Sequence, residues 1–141
     1  MTDVITVQTS LTVEHTIARL QSLLAEKGIT VFAIYDHAAN AREVGLELAG
    51  ETVIVFGSPE VGTALMKDNP DVGYELPLRI LVRDDAGVAR VVYRDPRALI
   101  PEYRLTHSQP TVERLSGLLR DLTSRSSLGR HSSASSRSAI W

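Results

Sequence analysis

Residues 52–56, Thr-Val-Ile-Val-Phe, constrain the fold more than any other segment, because they lead directly into Gly57-Ser58-Pro59. The segment is apolar at consecutive positions, which favours a strand shielded from water on both faces. Gly57 allows a tight exit from this strand. Ser58 followed by Pro59 is typical of an N-cap and the first residue of a helix. We therefore expect a buried strand, a tight turn and a helix at the centre of the domain.

The turn after this strand is also a candidate ligand site. The first turn of a helix presents backbone N–H groups that have no partner within the helix, and these groups favour an anion. We predict that a small anionic ligand binds at Gly57 and Ser58. The alternative is that both residues serve only as turn and cap, since the sequence is neither a P-loop nor a dinucleotide-binding fingerprint.

The spacing of apolar residues predicts the other strands and helices. Strands are expected at residues 3–9, 30–35, 78–84 and 88–94, the last two joined by a turn at residues 85–87. Helices are expected at residues 13–27, 40–48, 59–67, 96–103 and 110–122. These elements predict a single two-layer α+β domain, with a mostly antiparallel sheet of about five strands and helices packed on one face.

The composition indicates an ordinary globular domain and excludes several classes of protein. The chain has 141 residues, 43% of them hydrophobic, and no cysteine, so it has no disulfide framework. It contains no apolar run long enough to span a bilayer, and we expect no signal peptide, because residues 1–4 carry neither a basic region nor an apolar core. We expect a cytoplasmic protein that binds neither membrane nor nucleic acid.

The last part of the chain differs from the rest. Three of the 15 basic residues follow Ser124, so the preceding part has 12 basic and 17 acidic residues and a net charge of −5. Such an acidic body is unlike a nucleic-acid-binding protein. Residues 124–141 are rich in serine and arginine, and we predict a disordered tail there, after a domain of residues 1–123.

The predicted hairpin of residues 78–94 carries two different faces. Leu78, Ile80 and Val82 alternate with arginines and one leucine, and the second strand alternates in the same way. We predict that the arginine-bearing face meets a second copy of the chain, forming a homodimer. The alternative is that short helices or residues 103–109 of the same chain cover it. The residues predicted for this dimer face are Arg79, Leu81, Arg83, Arg90 and Val92.

Asp36-His37 is the pair most suggestive of catalysis, because a histidine can transfer protons near neutral pH. If residues 38–50 form a crossover, the flanking strands are parallel, and Asp36, His37 and Ser58 meet at one sheet edge, within reach of Asp95. The alternative is a turn-stabilising Asp36 and a partly buried His37. The four histidines show no metal-ligand spacing, so we expect neither a metal nor a cofactor.

Four pieces of the chain together resemble the DUF302 family. They are residues 35–39, Tyr-Asp-His-Ala-Ala; 56–59, Phe-Gly-Ser-Pro, with Gly62-Thr63; 76–82, Leu-Pro-Leu-Arg-Ile-Leu-Val; and 93–96, Tyr-Arg-Asp-Pro. Ser58 and Arg94 stand where this family usually has Asn. The resemblance implies a two-layer α+β fold and a homodimer, and it adds Thr63 to the candidate ligand site. It implies no reaction, since the family is itself of unknown function.

Two functional hypotheses follow. The first is a homodimeric module that binds or senses a small ligand without catalysis. The second is a small hydrolase or isomerase that uses His37 with a nearby carboxylate. The ligand-binding residues predicted by the first hypothesis are Asp36, His37, Gly57, Ser58, Thr63 and Asp95.

Overall fold

The structure, a computed structural model, describes residues 3–124 and Leu128. Its centre is a five-stranded sheet in the order β1-β5-β4-β3-β2, in which every neighbouring pair is antiparallel. The predicted α+β class is therefore confirmed. The strands are β1 Val4–Gln8, β2 Thr30–Asp36, β3 Glu51–Gly57, β4 Leu78–Asp85 and β5 Val88–Arg94.

Residues 3–124 form five α-helices beside this sheet, and three of them begin at a side-chain cap. The caps are Thr12, Asp36 and Ser58, each of which accepts a hydrogen bond from a backbone N–H three residues further along the chain. The helices are α1 Val13–Glu26, α2 His37–Glu43, α3 Pro59–Asp68, α4 Leu99–Glu102 and α5 Gln109–Leu122. Two 3₁₀ helices lie at Pro70–Glu75 and Pro96–Ala98.

The main core lies between one face of the sheet and the helices α1 and α5. In β3 and β5 buried side chains alternate with half-buried ones, and in β4 Ile80 and Val82 are buried on the same face, so one face of the sheet is dry. This burial stabilises the domain through loss of apolar surface from water. The members of this first core cluster include Leu20, Leu24, Ile54, Phe56, Ile80, Val82, Val91, Leu119 and Leu122.

A second, smaller core cluster lies beyond the end of the sheet. It joins α3, the 3₁₀ helix Pro70–Glu75, α4 and the start of α5 through Leu65, Val72, Leu99, Leu105 and Val112. The sequence analysis predicts no helix over Pro70–Glu75, because a proline often marks the end of a helix. In fact Asn69 caps this 3₁₀ helix, since its side chain accepts a hydrogen bond from the backbone N–H of Asp71.

Helix α2 begins three residues earlier than predicted and ends five residues earlier. Asp36 ends β2 and caps α2 at once, because its carboxylate accepts a hydrogen bond from the backbone N–H of Ala39. The helix predicted over residues 40–48 includes Val44, Leu46 and Leu48. We expected these residues to supply apolar contacts, and that prediction is wrong. These side chains are 71%, 63% and 46% exposed and lie in the connection to β3.

The prediction that β2 and β3 are parallel is also wrong. Asp36 at the end of β2 pairs with Thr52 at the start of β3, so the two strands are antiparallel. A parallel crossover must return along the whole length of β2, about 23 Å for seven residues. Helix α2 has only seven residues and covers about 10 Å, so the helix alone does not make that return.

The core extends beyond the predicted domain boundary at residue 123. Leu128 is fully buried in the first core cluster, and its backbone N–H donates a hydrogen bond to the carbonyl of Ser124. The prediction of a disordered tail over residues 124–141 otherwise falls on residues outside the described ones.

Candidate functional site

The antiparallel pairing of β2 and β3 separates the residues that the sequence predicted to meet. Gly57 pairs with Thr30, whereas Asp36 pairs with Thr52, five residues earlier in β3. At about 3.4 Å per residue, Asp36 lies about 17 Å from Gly57 along the sheet. The structure therefore places Asp36 and His37 at one end of the sheet and Ser58 at the other.

A cavity of about 370 Å³ lies at the Ser58 end of the sheet. We call it the apolar pocket. The residues that line it come from β2, β3 and β4, from α3, α5 and the 3₁₀ helix Pro70–Glu75, and from adjoining loops. They are Ile29, Phe32, Phe56, Gly57, Ser58, Pro59, Val61, Gly62, Thr63, Leu65, Met66, Gly73, Leu76, Pro77, Leu78, Leu115 and Leu118.

Three of the predicted ligand-binding residues, Gly57, Ser58 and Thr63, line the apolar pocket. The hydroxyl of Ser58 accepts a hydrogen bond from the backbone N–H of Val61, at 3.4 Å, so it serves as the cap of α3. No lysine, arginine or histidine is among the lining residues. The pocket therefore suits an apolar molecule better than the small anion that the sequence suggested.

Two glycines let neighbouring side chains approach the pocket closely. A Cβ atom at Gly57 would lie 3.4 Å from the ring of Phe32, and one at Gly62 would lie 3.7 Å from both Leu76 Cδ1 and Met66 Cε. Met66 is 39% exposed at the rim, and its unbranched thioether adapts easily to differently shaped ligands. A larger side chain at position 62 would therefore project into the space that a ligand would fill.

Asp95 lies at the same end of the sheet but does not line the apolar pocket. Its carboxylate accepts hydrogen bonds from the backbone and guanidinium of Arg97 and, at 2.8 Å, from the Ser116 hydroxyl. Burial raises the pKa of Asp95, but these hydrogen bonds outweigh burial and hold the pKa below its ordinary value. Asp95 thus joins β5 to α5 and has no oxygen left without a partner.

Asp36 and His37 are exposed and line none of the cavities described here. Asp36 caps α2. Within the described residues the imidazole ring of His37 has no hydrogen-bonding partner. Because a general base needs a second group to orient it and a concave surface to hold the substrate, this arrangement offers no support for proton transfer. Asp36 has the turn-stabilising role of the alternative, but the expectation of a partly buried His37 is wrong, because His37 is exposed.

The second face of the sheet, opposite α1 and α5, carries all five residues predicted for a dimer. A row of mostly apolar residues crosses the strands there, from Tyr35 through Val53, Leu81 and Val92 to Thr6. A parallel row contains Glu51, Arg83, Arg90 and Gln8. No contact with a second chain tests the predicted interface, and it stays a prediction.

The arginines of this face differ in how they are neutralised. Arg90 pairs with Asp85, and Arg94 binds Asp3, Glu75 and Glu102. The hydrogen bonds from Arg94 to Glu102 and Asp3 raise the pKa of Arg94 above its ordinary value. Within the described residues Arg79 has no such partner and lies beside a second hollow of about 310 Å³ that also includes Leu81, Val92 and Asp95.

Asp68 at the end of α3 fixes the start of α5, a role that sequence reasoning missed. Its side chain is 3% exposed and accepts hydrogen bonds from three successive backbone N–H groups, at residues 106–108, and from the Ser108 hydroxyl at 2.7 Å. The Ser108 hydroxyl, followed by the backbone N–H groups, holds the pKa of Asp68 far below its ordinary value. The aspartate was visible in the sequence, but its partners lie about 40 residues further along the chain.

Neither metal binding nor a membrane helix finds support in the described residues. No group of three or more histidine or carboxylate side chains there lies close enough to hold a metal ion. None of the described helices is long and apolar enough to cross a bilayer.

The curated proteins that match this chain are longer than it is. A fluoride-specific ion channel, FluC 1, of Brucella suis is 36% identical over 102 residues, which are 72% of this chain and 40% of that protein. FluC 1 of Brucella abortus matches with the same identity over 38% of its length. The chain therefore spans only about two fifths of these relatives.

A solved structure and a family model match nearly the whole domain. The crystal structure of an uncharacterized conserved protein DUF302 from Bacillus stearothermophilus superposes with a TM-score of 0.79 at 21% identity, covering 89% of this chain and 98% of that one. This likeness supports the fold. The family model described as a domain of unknown function, DUF302, matches residues 5–122. The chain therefore belongs to the DUF302 family.

Proposed function

We propose that this domain is a homodimeric binding or sensing module whose ligand is a small, largely apolar molecule held in the apolar pocket. The observation that carries the proposal is the cavity of about 370 Å³ at the Ser58 end of the sheet, lined mostly by aliphatic, aromatic and methionine side chains. Pockets for small molecules have volumes of about 300–1,000 Å³ and combine apolar walls with a few polar groups.

The polar groups at the pocket are few and lie in its wall near Pro59. The Ser58 hydroxyl is engaged with Val61, and Thr63 is exposed one turn into α3. A ligand with one hydroxyl or amide and a hydrophobic body matches this distribution. Burial of apolar surface away from water supplies the binding free energy, at about 25 cal/mol per Å². The loss of translational and rotational freedom on binding is subtracted from this gain.

Two other activities are not part of the proposal. Catalysis by His37 is not favoured, because His37 is exposed, lies about 17 Å from Gly57 along the sheet and has no carboxylate bound to its ring within the described residues. Fluoride conduction, named for the Brucella relatives, is not proposed either, because the match covers only about two fifths of their length.

A pair of glycine substitutions tests the pocket. Gly62 lines the pocket in α3, whereas Gly117 lies in α5, and a Cβ atom at position 117 would meet nothing within 4 Å. We expect Gly62→Leu to fill the pocket and Gly117→Leu to leave it open. Both changes replace glycine in a helix by a good helix former, which favours folding by about 0.5–1 kcal/mol, so both variants should remain folded.

The measurement is a fluorescence titration with N-phenylnaphthylamine, an uncharged apolar probe. We expect the wild type, Gly117→Leu and His37→Ala to bind the probe alike, and Gly62→Leu to bind it at least tenfold more weakly. Equal binding by Gly62→Leu and the wild type, with circular dichroism showing both folded, would refute the pocket as the binding site. If His37→Ala lost binding instead, the binding site would lie at the other end of the sheet, near His37.

A further inference from the structure

We propose that Met66 is an oxidation site through which hydrogen peroxide, or another hydroperoxide, lowers the affinity of the apolar pocket for its ligand. This regulation rests on the proposed function, because it acts on the same pocket. It goes beyond that function by adding a modified residue and a class of oxidant.

The side chain of Met66 lies in the gap between α3 and the 3₁₀ helix Pro70–Glu75. A helical side chain leans toward the N-terminus, over the residue four positions earlier, which for Met66 is Gly62. A Cβ atom at Gly62 would lie 3.7 Å from Met66 Cε, and one at Gly73 would lie 3.1 Å from Met66 Sδ. Because both neighbours lack a side chain, the thioether itself forms this part of the pocket wall.

Met66 contacts both the pocket and the solvent. It lines the apolar pocket, and 39% of the residue is exposed, whereas the preceding residue, Leu65, is fully buried. A dissolved peroxide therefore reaches Met66 without unfolding of the domain. The chain has two methionines, Met1 and Met66, and no cysteine, so Met66 holds the one sulfur atom among the described residues.

The reaction is a two-electron oxygen transfer from the peroxide to the thioether. The sulfur lone pair attacks one peroxide oxygen, an S–O bond forms and the O–O bond breaks. With hydrogen peroxide, the second oxygen leaves as water after proton transfer. The sulfur is oxidised by two electrons and the peroxide is reduced by two. The product, methionine sulfoxide, is polar, and methionine sulfoxide reductases convert it back to methionine.

A sulfoxide is poorly matched to the wall in which Met66 lies. Its oxygen is a hydrogen-bond acceptor, and only Ser58 and Thr63 among the lining residues have side chains that donate hydrogen bonds. A sulfoxide that stays in the wall therefore places a poorly partnered polar group beside an apolar ligand. A sulfoxide that turns outward to water removes the thioether from contact with the ligand. Both rearrangements weaken the binding of an apolar molecule.

Peroxide treatment followed by titration with N-phenylnaphthylamine tests this regulation. Wild type and Met66→Leu are each compared with their own untreated form, and mass spectrometry of peptides locates the added oxygen. Leucine has nearly the volume of methionine and no sulfur, so Met66→Leu controls for oxidation at any other residue. We expect the oxidised wild type to bind the probe at least about fivefold more weakly, because of the polar oxygen in the pocket wall. We expect peroxide to leave the affinity of Met66→Leu unchanged, and methionine sulfoxide reductases A and B to restore that of the wild type.

Several outcomes would overturn this regulation and leave the pocket as a binding site. They are the absence of oxygen at Met66 when N-acetylmethionine in the same solution is oxidised, an unchanged affinity once Met66 is oxidised, and an equal loss of affinity in peroxide-treated Met66→Leu. Unfolding of the oxidised protein, seen by circular dichroism, also counts against it, because the loss of binding would then follow from loss of the fold.

The wild type alone decides the question if Met66→Leu does not fold. Recovery of affinity after treatment with the two reductases then supports the regulation, and a lack of recovery overturns it. If the untreated wild type does not bind the probe, the proposed function fails and this regulation fails with it.

Discussion

The substitution Leu128→Ala tests how much Leu128 contributes to the free energy of unfolding of the domain. Leu128 has no exposed surface and packs in the first core cluster, which also contains Leu119 and Leu122. The substitution removes three carbon atoms from this cluster. At about 0.8 kcal/mol per buried methylene, the transfer of these atoms alone accounts for about 2.4 kcal/mol.

The cavity left by the deleted atoms adds to this loss. Measured Leu→Ala changes in protein cores lie at about 2–5 kcal/mol, and we expect about 3 kcal/mol for Leu128→Ala. For a domain of this size, about 4 °C of melting temperature corresponds to each kcal/mol, so the midpoint should fall by about 12 °C.

Urea denaturation and thermal melting followed by circular dichroism are suitable assays. The matched control is Leu46→Ala, the same chemical change at a side chain that is 63% exposed, for which we expect less than about 0.5 kcal/mol. A loss below about 0.5 kcal/mol for Leu128→Ala as well would refute the reasoning, because the core would then end before residue 128.

The remaining predictions concern two polar groups. Asp68 has a folded-state pKa below its ordinary value of 3.8, so its contribution to stability is present above pH 3.8 and is lost as the pH falls further. We expect Asp68→Asn to lower the urea midpoint at pH 7 and to flatten its acid dependence; an unchanged profile would contradict this. The buried hydroxyl of Tyr93 has no hydrogen-bond partner among the described residues, so Tyr93→Phe should be neutral or stabilise the protein by about 1 kcal/mol in thermal melts. A loss above 1 kcal/mol would instead reveal a bound water or another partner.

The sequence was sufficient for most of the fold, because local chemistry determines it. Ser58 was predicted as a helix cap and caps α3. The hairpin of β4 and β5 lies where the alternation predicted it, with its turn at Ala86 and Gly87. Both turn residues have a positive φ, as a tight two-residue hairpin turn requires.

The candidate site was harder to predict, because it depends on which strands pair. The position of Ser58 relative to His37 changes from adjacent to remote when the pairing of β2 with β3 changes from parallel to antiparallel. No residue in the segment that connects these strands indicates whether they pair parallel or antiparallel. The apolar pocket likewise draws Phe32, Leu76 and Leu115 from distant parts of the chain, and their spacing carries no sign of a common cavity.

Phe32 belongs to two surfaces at once, since its ring lines the apolar pocket while half of the residue remains exposed on β2. A ligand that fills the pocket would remove part of this ring from water. The accessibility of one aromatic side chain to solvent would therefore report whether the pocket is occupied.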